Sequence, residues 1–454
     1  MIRALVALIA LTACEPGARG EPSGIAGEFP AKVAAVIDPA RAVSVHAPDV
    51  DARGELQALI DVCAAAPLCP GVHLAPGVYT IVTPPAPRAV ALLDVRVSLF
   101  GSPAGTVIRC VGDTAGLDWR CMQVRGGVAV RRLRIETSLV GVAEQSHVIR
   151  VDGPAAGVVL ADLEIDHPTP GGGDAIQVVG YSPDRLITGL EVARVSVPRS
   201  SRSGIAIHSG LHSARLHHLV FGSISDQSID GEGSGDTEDV AIDHVVDHRL
   251  GQTTTSIQVM GWTRLRLADV QLAGGVDLYG CTDCEISDAV IRQAAPTTNA
   301  VLTIRKTSPR VTVRSSTIER AASAGPGMVV AIAQRIGAPR DVALVDVQLI
   351  QHAPSVALQV VGVDGLSLER LAISYDGAPL ALTRTDAIQL TGGPTVRTDR
   401  VSIVDSSIGG AYRAAILVAG QVGAVDVAGT WAPLGVRCEA AIGPVVVDGE
   451  PACP

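Results

Sequence analysis

Five residues in the middle of the chain have side chains suited to proton transfer and anion binding. His208, Asp230 and Asp277 can act as acids or bases when their surroundings shift their pKa values, and Arg305 and Lys306 can neutralise a carboxylate. These residues belong to different segments of the chain. They form a catalytic site only if the fold stacks those segments, and the alternative interpretation is an ordinary solvated strand face.

An acidic segment begins at Asp230. Over residues 230–239, carboxylate and hydroxyl oxygens alternate with glycine. Asp230, Glu232, Asp236 and Glu238 have a spacing that can wrap Ca²⁺, which takes six to eight oxygen ligands. The segment departs from an EF-hand loop because the position of the bidentate glutamate is not acidic and no helices flank it. Ca²⁺ is therefore one hypothesis, and a flexible acidic loop is the other.

Histidines are concentrated between residues 199 and 250. They are His208, His212, His217, His218, His244 and His248. A catalytic or metal-binding histidine is one interpretation of this cluster. His218 and His244 also belong to a repeated polar column described below, which favours a structural role for these two, so His208 is the stronger catalytic candidate.

The elements that position these residues follow from a repeat. A signature of the form apolar–x–apolar–x–polar–apolar–x–apolar occurs eleven times, at intervals of 19 to 35 residues. Its third residues are Val130, Leu160, Val192, Leu216, Ile242, Leu267, Ile286, Val313, Leu344, Leu368 and Ile403. A period of about 20–50 residues is typical of a stacked array.

The signature requires a bend between two short strands. In the copy at 158–165, Leu160 and Leu163 are three residues apart, so both cannot face inward from one continuous strand. The predicted bend residue is polar in every copy: Arg132, Asp162, Arg194, His218, His244, Asp269, Asp288, Ser315, Asp346, Arg370 and Asp405. The last position is apolar except at Asp247, where the cost of burying a carboxylate predicts that the coil bulges outward.

Another short strand lies between successive signatures, as at 175–178, 204–207 and 387–390. Three strands per coil, stacked at about 4.8 Å per rung, make a parallel β-helix. We therefore predict an all-β solenoid of about a dozen coils over residues 33–454, forming a single domain. A helix at about 51–66 is expected to cap the first coil. A leucine-rich horseshoe is disfavoured because its consensus is missing.

The N-terminus is typical of an exported lipoprotein. Arg3 precedes an apolar run at 4–11, and the segment 11–14 ending in Cys14 is similar to a bacterial lipobox. This predicts a signal peptide at 1–13, lipid on Cys14, a flexible tether at 14–32 and a location in the cell envelope, at the outer membrane or cell surface. The alternative is an ordinary signal peptide with a chance cysteine.

Cysteine usage also indicates export. Of nine cysteines, eight remain after Cys14, and they are expected to form four local disulfides. The predicted pairs are Cys63 with Cys69, Cys110 with Cys121, Cys281 with Cys284, and Cys438 with Cys453. A redox or metal-binding role is the alternative for Cys281 and Cys284. The net charge of −10 and the lack of a basic cluster exclude a nucleic-acid partner.

Residues 71–81, residues 97–108 and the eleven signatures resemble the pectin-lyase-like superfamily of right-handed parallel β-helices. The resemblance implies a binding face on the strand that follows the long loop of each coil. The outward positions of that strand are Gln177, His208, Asp230, Gln258, Asp277, Tyr279 and Arg305. One such fold hosts many functions, so the resemblance specifies the fold and leaves the activity open.

The polygalacturonases of this superfamily offer a test at the level of residues. Asp174 matches the first aspartate of their motif set, but Arg202 and Ser203 stand where the next coil needs an aspartate pair. Their Gly-His-Gly motif is missing, and 304–307 matches the last motif only loosely. Inverting hydrolysis needs both an acid and a base, so this mechanism is disfavoured. No lyase signature is clear either.

Two functional classes remain open at this stage. The first is a lipid-anchored, monomeric envelope protein that binds or processes an acidic polysaccharide, as a lyase or glycoside hydrolase if it is catalytic, with Ca²⁺ the one cofactor considered. The second is a non-catalytic surface rod for adhesion or scaffolding. The 2% aromatic content favours the rod, and the polar anomalies at 226–255 favour a site.

Overall fold

The computed structural model describes most of the chain beyond residue 50. The described residues are 35–37, 51–84, 90–114, 118–141, 145–168, 172–181, 183–233, 236–248, 255–333, 337–353, 355–376, 385–393 and 395–453. The predicted signal peptide, Cys14 and the tether at 14–32 lie outside them.

Two long sheets run along the molecule, and their strands come from successive coils. Sheet 1 has 14 strands, all paired in parallel. Its strands are Val90–Val95, Trp119–Arg125, Ser146–Asp152, Ile176–Val179, Ile205–Ile207, Ile229–Gly231, Thr255–Met260, Gly275–Tyr279, Leu302–Arg305, Val330–Ala333, Leu358–Val361, Ile388–Gly392, Ile416–Gly420 and Val436–Glu439.

Sheet 2 has 24 strands and contains the signatures. Its strands are Ala35–Ile37, Val72–Leu74, Gly77–Val82, Leu99–Phe100, Thr106–Asp113, Ala129–Val140, Ala155–Ala156, Val159–His167, Ile187–Thr188, Glu191–Ser200, Leu211–Ile224, Glu238–Asp247, Arg266–Leu272, Cys284–Ser287, Val290–Gln293, Val311–Arg320, Arg340–Gln351, Asp364–Glu369, Ala372–Tyr375, Asp399–Val404, Ser407–Ile408, Val425–Ala428, Val445–Val447 and Glu450–Pro451. Its last two strands pair antiparallel, at the C-terminal end.

This architecture is the predicted right-handed parallel β-helix. The predicted capping helix is also confirmed. It spans Arg53–Ala65 and buries Leu56, Ile60 and Cys63 against the first coils. Two short 3₁₀-helices occupy Pro183–Arg185 and Ala322–Ala324. Among the described residues, no helix is long and apolar enough to cross a membrane.

The predicted bend is confirmed in all eleven copies. Every bend residue has a positive φ, between 50° and 58°, which is the left-handed helical region. A single left-handed residue resets the alternation of the strand, so the apolar residues on both sides of it point inward. For a residue other than glycine this conformation costs roughly 1–2 kcal/mol. The side chain at the bend points away from the core, which explains why it is polar.

A second left-handed turn precedes the signature and was not predicted. It lies at the residue immediately before the first apolar position in ten of the eleven copies: Gly157, Gly189, Ser213, Asp239, Arg264, Asp283, Arg310, Asp341, Gly365 and Arg400. The sequence contained a signal for it, because this position is always Gly, Asp, Ser or Arg. The turn was not predicted because this position is occupied by several residue types, and among them only glycine is by itself a sequence signal for a left-handed conformation.

Apolar columns fill the interior of the coil. Val130, Leu160, Val192, Leu216 and Ile242 follow one another along one column and are fully buried. Each such side chain contributes about 1.5–3 kcal/mol relative to an exposed one. Aliphatic residues of similar size stack well at the rung spacing, which accounts for the low aromatic content.

The prediction that the coil bulges outward at Asp247 is wrong. Asp247 stays in parallel register with Phe221 of the preceding coil, and it is only 4% exposed. The carboxylate is tolerated because it has an interaction partner and borders a cleft of about 690 Å³. Val246, Leu272 and Val290 also line this cleft.

Arginine–aspartate pairs link neighbouring coils. In each pair, the guanidinium reaches back to a carboxylate of the preceding coil: Arg194 to Asp162, Arg199 to Asp166, Arg202 to Asp174, Arg264 to Asp239, Arg305 to Asp277, Arg310 to Asp283, Arg370 to Asp346 and Arg413 to Asp386. The planar fork of arginine suits two-point binding of a carboxylate, and lysine has no such fork. An exposed pair contributes about 0–1 kcal/mol, so only the buried pairs weigh heavily in stability.

The four predicted disulfides are all present. Cys63 pairs with Cys69, Cys110 with Cys121, Cys281 with Cys284, and Cys438 with Cys453. They lie at the capping helix, in the first coils, in the middle of the rod and at its C-terminal end. The Cys281–Cys284 pair is therefore a buried disulfide, and the alternative of a metal-binding pair is not supported.

Candidate acid–base site on sheet 1

The stacking of coils places four candidate residues in one column on the outer side of sheet 1, together with Ala206. The parallel register runs Gln177, Ala206, Asp230, Gln258 and Asp277, one residue per rung. Residues separated by a hundred positions in the sequence thus lie within four rungs, or about 19 Å. These residues therefore share one face of sheet 1. Two of their side chains are much more buried than expected, since Gln177 is 2% and Asp230 4% exposed.

Gly231 lets the backbone at Asp230 lie close against the next coil. A Cβ atom at residue 231 would approach the Trp262 ring to 2.6 Å, so a side chain does not fit there. The Trp262 indole is buried beneath this strand. The Asp-Gly-Glu sequence therefore presents two carboxyl groups, Asp230 and Glu232, on a tightly packed rung.

His208 connects Glu232 to Gln177. Its Nδ1 lies 3.3 Å from Glu232 Oε2, and its Nε2 lies 3.1 Å from the side-chain nitrogen of Gln177. Because the Gln177 amide donates to Nε2, the ring proton of His208 is on Nδ1 and faces the Glu232 carboxylate. Arg202 lies 4.0 Å from the same glutamate. The exposed ring of Tyr181, 5.5 Å from the His208 ring, forms the rim of the site.

The two carboxyl groups have different proton affinities. Burial, a hydrogen bond with Glu232 and the negative charges of Glu232, Asp226 and Asp174 raise the pKa of Asp230 to about 8. Asp230 is therefore protonated at neutral pH. Burial lowers the pKa of His208, which is only partly offset by Glu232, so its ring is neutral at that pH. The site thus holds a proton donor beside a proton acceptor.

Two polar atoms of the site have no hydrogen-bond partner within the described part of the chain. They are Gln177 Oε1 and Asp230 Oδ1, and both are buried. An unsatisfied buried polar atom costs about 1–3 kcal/mol. Such atoms are found where a bound ligand or water completes the network, so they indicate a place where a polar ligand binds.

Arg305 and Lys306 lie further along the same face. Arg305 forms a two-point pair with Asp277, which cancels most of its charge. Lys306 places its Nζ 4.7 Å from the centre of the Tyr279 ring, and Arg305 lies 5.0 Å from the same centre. Of the predicted catalytic residues, Asp230 and His208 therefore lie in one cluster. Asp277, Arg305 and Lys306 form a second, two to three rungs away.

Asp174, which matched the polygalacturonase motif, is a buried structural residue. Arg202 binds it through both oxygens at 2.8 and 2.6 Å, and His147 Nδ1 lies 3.0 Å away. Burial opposes its ionisation, but the hydrogen bonds from His147 and Arg202 outweigh that effect and lower the pKa of Asp174 to about 2. The same arrangement recurs far from the site, where Arg413 binds the buried Asp386 at 2.9 and 2.6 Å. This recurrence indicates that the pair has a structural role, which is to hold neighbouring coils together.

The four residues of the calcium hypothesis do not converge. Asp230 and Glu232 lie together, while Glu238 contacts Arg264 at 2.7 Å and His212 at 3.3 Å. Within the described residues, the three-residue group with metal-ligand geometry is a different one, His217, His218 and Asp243. Calcium binding at the acidic segment stays a prediction.

Sequence reasoning missed the acid–base role of Glu232, which it considered only as a calcium ligand. It also missed Arg202 and Tyr181 as neighbours of His208. Strand alternation was the available signal for Glu232, since it lies two residues beyond Asp230 and so on the same side. Arg202 and Tyr181 carry no comparable signal because loops position them.

No family model matches the sequence, and no curated protein matches it. Among solved structures, the catalytic domain of GH87 α-1,3-glucanase in complex with nigerose aligns with 93% of this chain and 69% of its own, at 10% identity and a TM-score of 0.45. The A-module of the Azotobacter vinelandii mannuronan C-5 epimerase AlgE4 covers 88% and 94%, at 14% identity and 0.37. PfbA, a surface adhesin of Streptococcus pneumoniae, covers 89% and 92%, at 12% identity and 0.40.

Similarity this low carries no information on activity. The strands and bends of the chain define its class as a right-handed parallel β-helix, and the chemistry of the site depends on its own residues.

We expect Asp174→Ala and Asp386→Ala to destabilise the protein to a similar degree, by about 1–3 kcal/mol each, because each removes a buried carboxylate that binds a partly exposed arginine of the next coil. Chemical denaturation followed by circular dichroism measures this. The exposed pair of Arg370 and Asp346 offers the matched control, since Asp346→Ala should lower the free energy of unfolding by less than about 1 kcal/mol. A large loss for Asp174→Ala with none for Asp386→Ala would contradict the shared structural role.

We expect Asp230→Asn to stabilise the folded protein at high pH. The pKa of this carboxyl rises from about 3.9 in the unfolded chain to about 8 in the folded one. The folded state therefore binds the extra proton between these values, and the free energy of unfolding falls as pH rises from 4 to 8. Asparagine cannot ionise, so the variant should exceed the wild type by several kcal/mol at pH 8.5, since each pKa unit corresponds to about 1.4 kcal/mol.

The same comparison at pH 4.5 should show a much smaller difference. Asp426→Asn, on an exposed strand position of sheet 2, is the control and should leave the pH profile unchanged. If the gain from Asp230→Asn is the same at both pH values, Asp230 does not titrate in this range.

Proposed function

We propose that the protein is a polysaccharide lyase that acts on an acidic polymer bound along the outer face of sheet 1. The observation that carries this proposal is the buried, proton-sharing pair Asp230 and Glu232 beside a neutral His208. Two buried atoms of this cluster, Gln177 Oε1 and Asp230 Oδ1, also have no hydrogen-bond partner among the described residues.

The closeness of the two carboxyl groups favours elimination over hydrolysis. Glycoside hydrolases that follow the common mechanisms place their carboxyl groups about 5–5.5 Å apart for retention and about 6.5–9.5 Å apart for inversion, on opposite sides of the scissile bond. Asp230 and Glu232 come from one strand end and are within hydrogen-bonding contact. They therefore act from one side of a substrate, as a single acid–base unit.

The proposed reaction uses that unit together with His208. Nε2 of the neutral His208 ring accepts the proton from the carbon next to the sugar carboxylate once the bound sugar has displaced the Gln177 amide that donates to it, and Glu232 stabilises the resulting imidazolium at Nδ1. The electron pair of that C–H bond forms a carbon–carbon double bond, and the glycosidic C–O bond breaks. Asp230, protonated at neutral pH, donates a proton to the departing oxygen. One sugar chain gives two, one of which has an unsaturated end.

An acidic polymer fits the charges along the face. Lys306 lies about three rungs, or about 14 Å, from Asp230, and its ammonium can pair with a carboxylate of a neighbouring sugar. The rings of Tyr181 and Tyr279 lie on either side of the acid–base cluster along the rod and offer apolar contact surfaces. A chain lying along the rod axis meets all three.

We also propose that the protein is exported and anchored by lipid on Cys14, with 1–13 removed and 14–32 serving as the tether. Residues of this segment lie outside the described part of the chain, so the proposal rests on the sequence pattern. The four local disulfides support it, because such bonds persist in oxidising compartments.

A non-catalytic surface rod is the second candidate. The Arg–Asp pairs within the chain favour this candidate, because they already neutralise much of the charge on the surface. The 2% aromatic content favours it as well. This candidate predicts polymer binding without any cleavage, and that binding should not change with the protonation state of Asp230.

We expect the wild-type protein to release products with an ultraviolet-absorbing double bond from polygalacturonate or alginate, and not from a neutral glucan. Asp230→Asn and His208→Gln should each lower kcat by about 10²–10⁴-fold, as is typical of a lost general acid or base. Asp426→Asn should retain full activity. Assays with Ca²⁺ and with a chelator test the calcium hypothesis in parallel.

The outcomes separate the candidates. Reducing ends without the double bond indicate a hydrolase and overturn the lyase assignment. Binding of an acidic polymer without cleavage, equal in wild type and Asp230→Asn, indicates the rod. Activity that persists in both variants excludes this cluster as the catalytic site.

We expect Cys14→Ser to release the protein from membranes. Produced in a bacterial host with lipoprotein processing, the wild type should partition into the detergent phase of a phase-separation assay, and the variant into the aqueous phase. Cys14→Ala also removes the thiol, so it should partition as Cys14→Ser does. Equal partitioning of wild type and variants would rule out the lipid anchor.

A further inference from the structure

A histidine-rich cluster on sheet 2, outside the proposed active site, has the geometry of a metal centre. His217 and His218 belong to the strand Leu211–Ile224, and Asp243 belongs to the next coil, directly in register with His217. One ligand atom from each of the three lies within 4.8 Å of the other two. We propose that these residues bind a divalent transition-metal ion such as Zn²⁺.

The left-handed bend brings the two adjacent histidines to one side. In a continuous strand, residues 217 and 218 would point to opposite faces. His218 is a bend residue with φ of 54°, and this turns its ring back toward His217. As a result, the two Nδ1 atoms are 2.9 Å apart. Two Zn–N bonds of about 2.0–2.1 Å at a tetrahedral angle place their nitrogens about 3.3 Å apart, so a small rotation of the exposed His218 ring opens the site.

Neighbouring carboxylates hold the first ligand in the state that a metal requires. His217 Nε2 lies 3.2 Å from Glu191 Oε1, and the His217 side chain is 9% exposed. Because Nε2 donates its proton to Glu191, the lone pair of His217 is on Nδ1 and faces His218. A carboxylate behind a metal-binding histidine fixes its tautomer and orientation in many metal sites.

The third ligand is held in a similar way. Asp243 accepts hydrogen bonds from Arg215 at 3.1 and 3.4 Å and from His244 Nδ1 at 2.6 Å. His244 Nε2 in turn lies 3.2 Å from Asp269, and the His244 ring stacks on that of His218 at 4.5 Å. The carboxylate keeps lone pairs for a metal, and the ring stack restrains the second ligand.

Two nitrogens and one carboxylate oxygen form a donor set that suits Zn²⁺, with water completing the tetrahedron. The set is too rich in nitrogen for Ca²⁺, which prefers six to eight oxygens. The ion would join the strand Leu211–Ile224 to the strand Glu238–Asp247 at the corner of the coil. Since this corner belongs to sheet 2, the site is independent of the acid–base cluster on sheet 1.

The test is titration of the full-length protein, free of any polyhistidine tag, with Zn²⁺ by calorimetry and with Co²⁺ by visible absorption. We expect one ion per chain and a tetrahedral Co²⁺ spectrum. His217→Gln, His218→Asn and Asp243→Asn should each weaken binding by at least tenfold. Asparagine is chosen at 218 because it tolerates the left-handed conformation. His352→Gln, which changes a histidine just after the sheet 2 strand Arg340–Gln351, should bind as the wild type does.

Thermal unfolding with and without Zn²⁺ provides a second readout. The metal should raise the melting temperature of the wild type and of His352→Gln, and it should not raise that of the three ligand variants. Equal melting temperatures of all proteins in chelator show that the variants fold. Absence of binding by the wild type, or binding retained in a variant lacking both His217 and His218, overturns the proposal. Polysaccharide cleavage is expected to be the same with and without the three substitutions.

Discussion

The left-handed bend is the conformational constraint on which the rest of the structure depends. Eleven polar residues accept an unfavourable φ so that apolar residues three positions apart can both face the core. The penalty at each bend is smaller than the burial it allows, since each coil gains several aliphatic side chains worth about 1.5–3 kcal/mol apiece. The same bend fixes the corner of the coil, and with it the direction in which sheet 1 faces.

Because the coils stack, residues that are one coil apart in the sequence lie next to one another in columns. These columns differ in their chemistry. Where an arginine follows an aspartate at the interval of one coil, a pair forms, as for Arg202 with Asp174 and Arg413 with Asp386. At Asp230 this pattern is interrupted. Its neighbours in the column are Ala206 and Gln258, so the column itself places no arginine fork on this carboxyl. Burial, a hydrogen bond with Glu232 and the negative charges of Glu232, Asp226 and Asp174 raise the pKa of Asp230.

The bend column has a second consequence at its histidine positions. His218 and His244 stack as ladder residues, in agreement with the structural role that the sequence indicated. Because the bend also rotates His218 toward His217, the same ladder generates a set of ligands on the corner of the rod. A structural role and a binding role are compatible here, since the ladder uses the ring faces and the metal would use Nδ1.

The sequence by itself determined the solenoid, its capping helix, the bend residues and the four disulfide pairs, because all of these depend on local periodicity and short spacing. It did not determine which of the candidate residues meet. Asp174 resembled a catalytic residue until the structure placed Arg202 on it, and Asp247 suggested a bulge until its register with Phe221 was known. The cluster of Asp230, Glu232 and His208 was likewise decided by tertiary structure. Contacts between coils depend on loop lengths and on the exact rung on which each residue falls, and neither is encoded in the repeat.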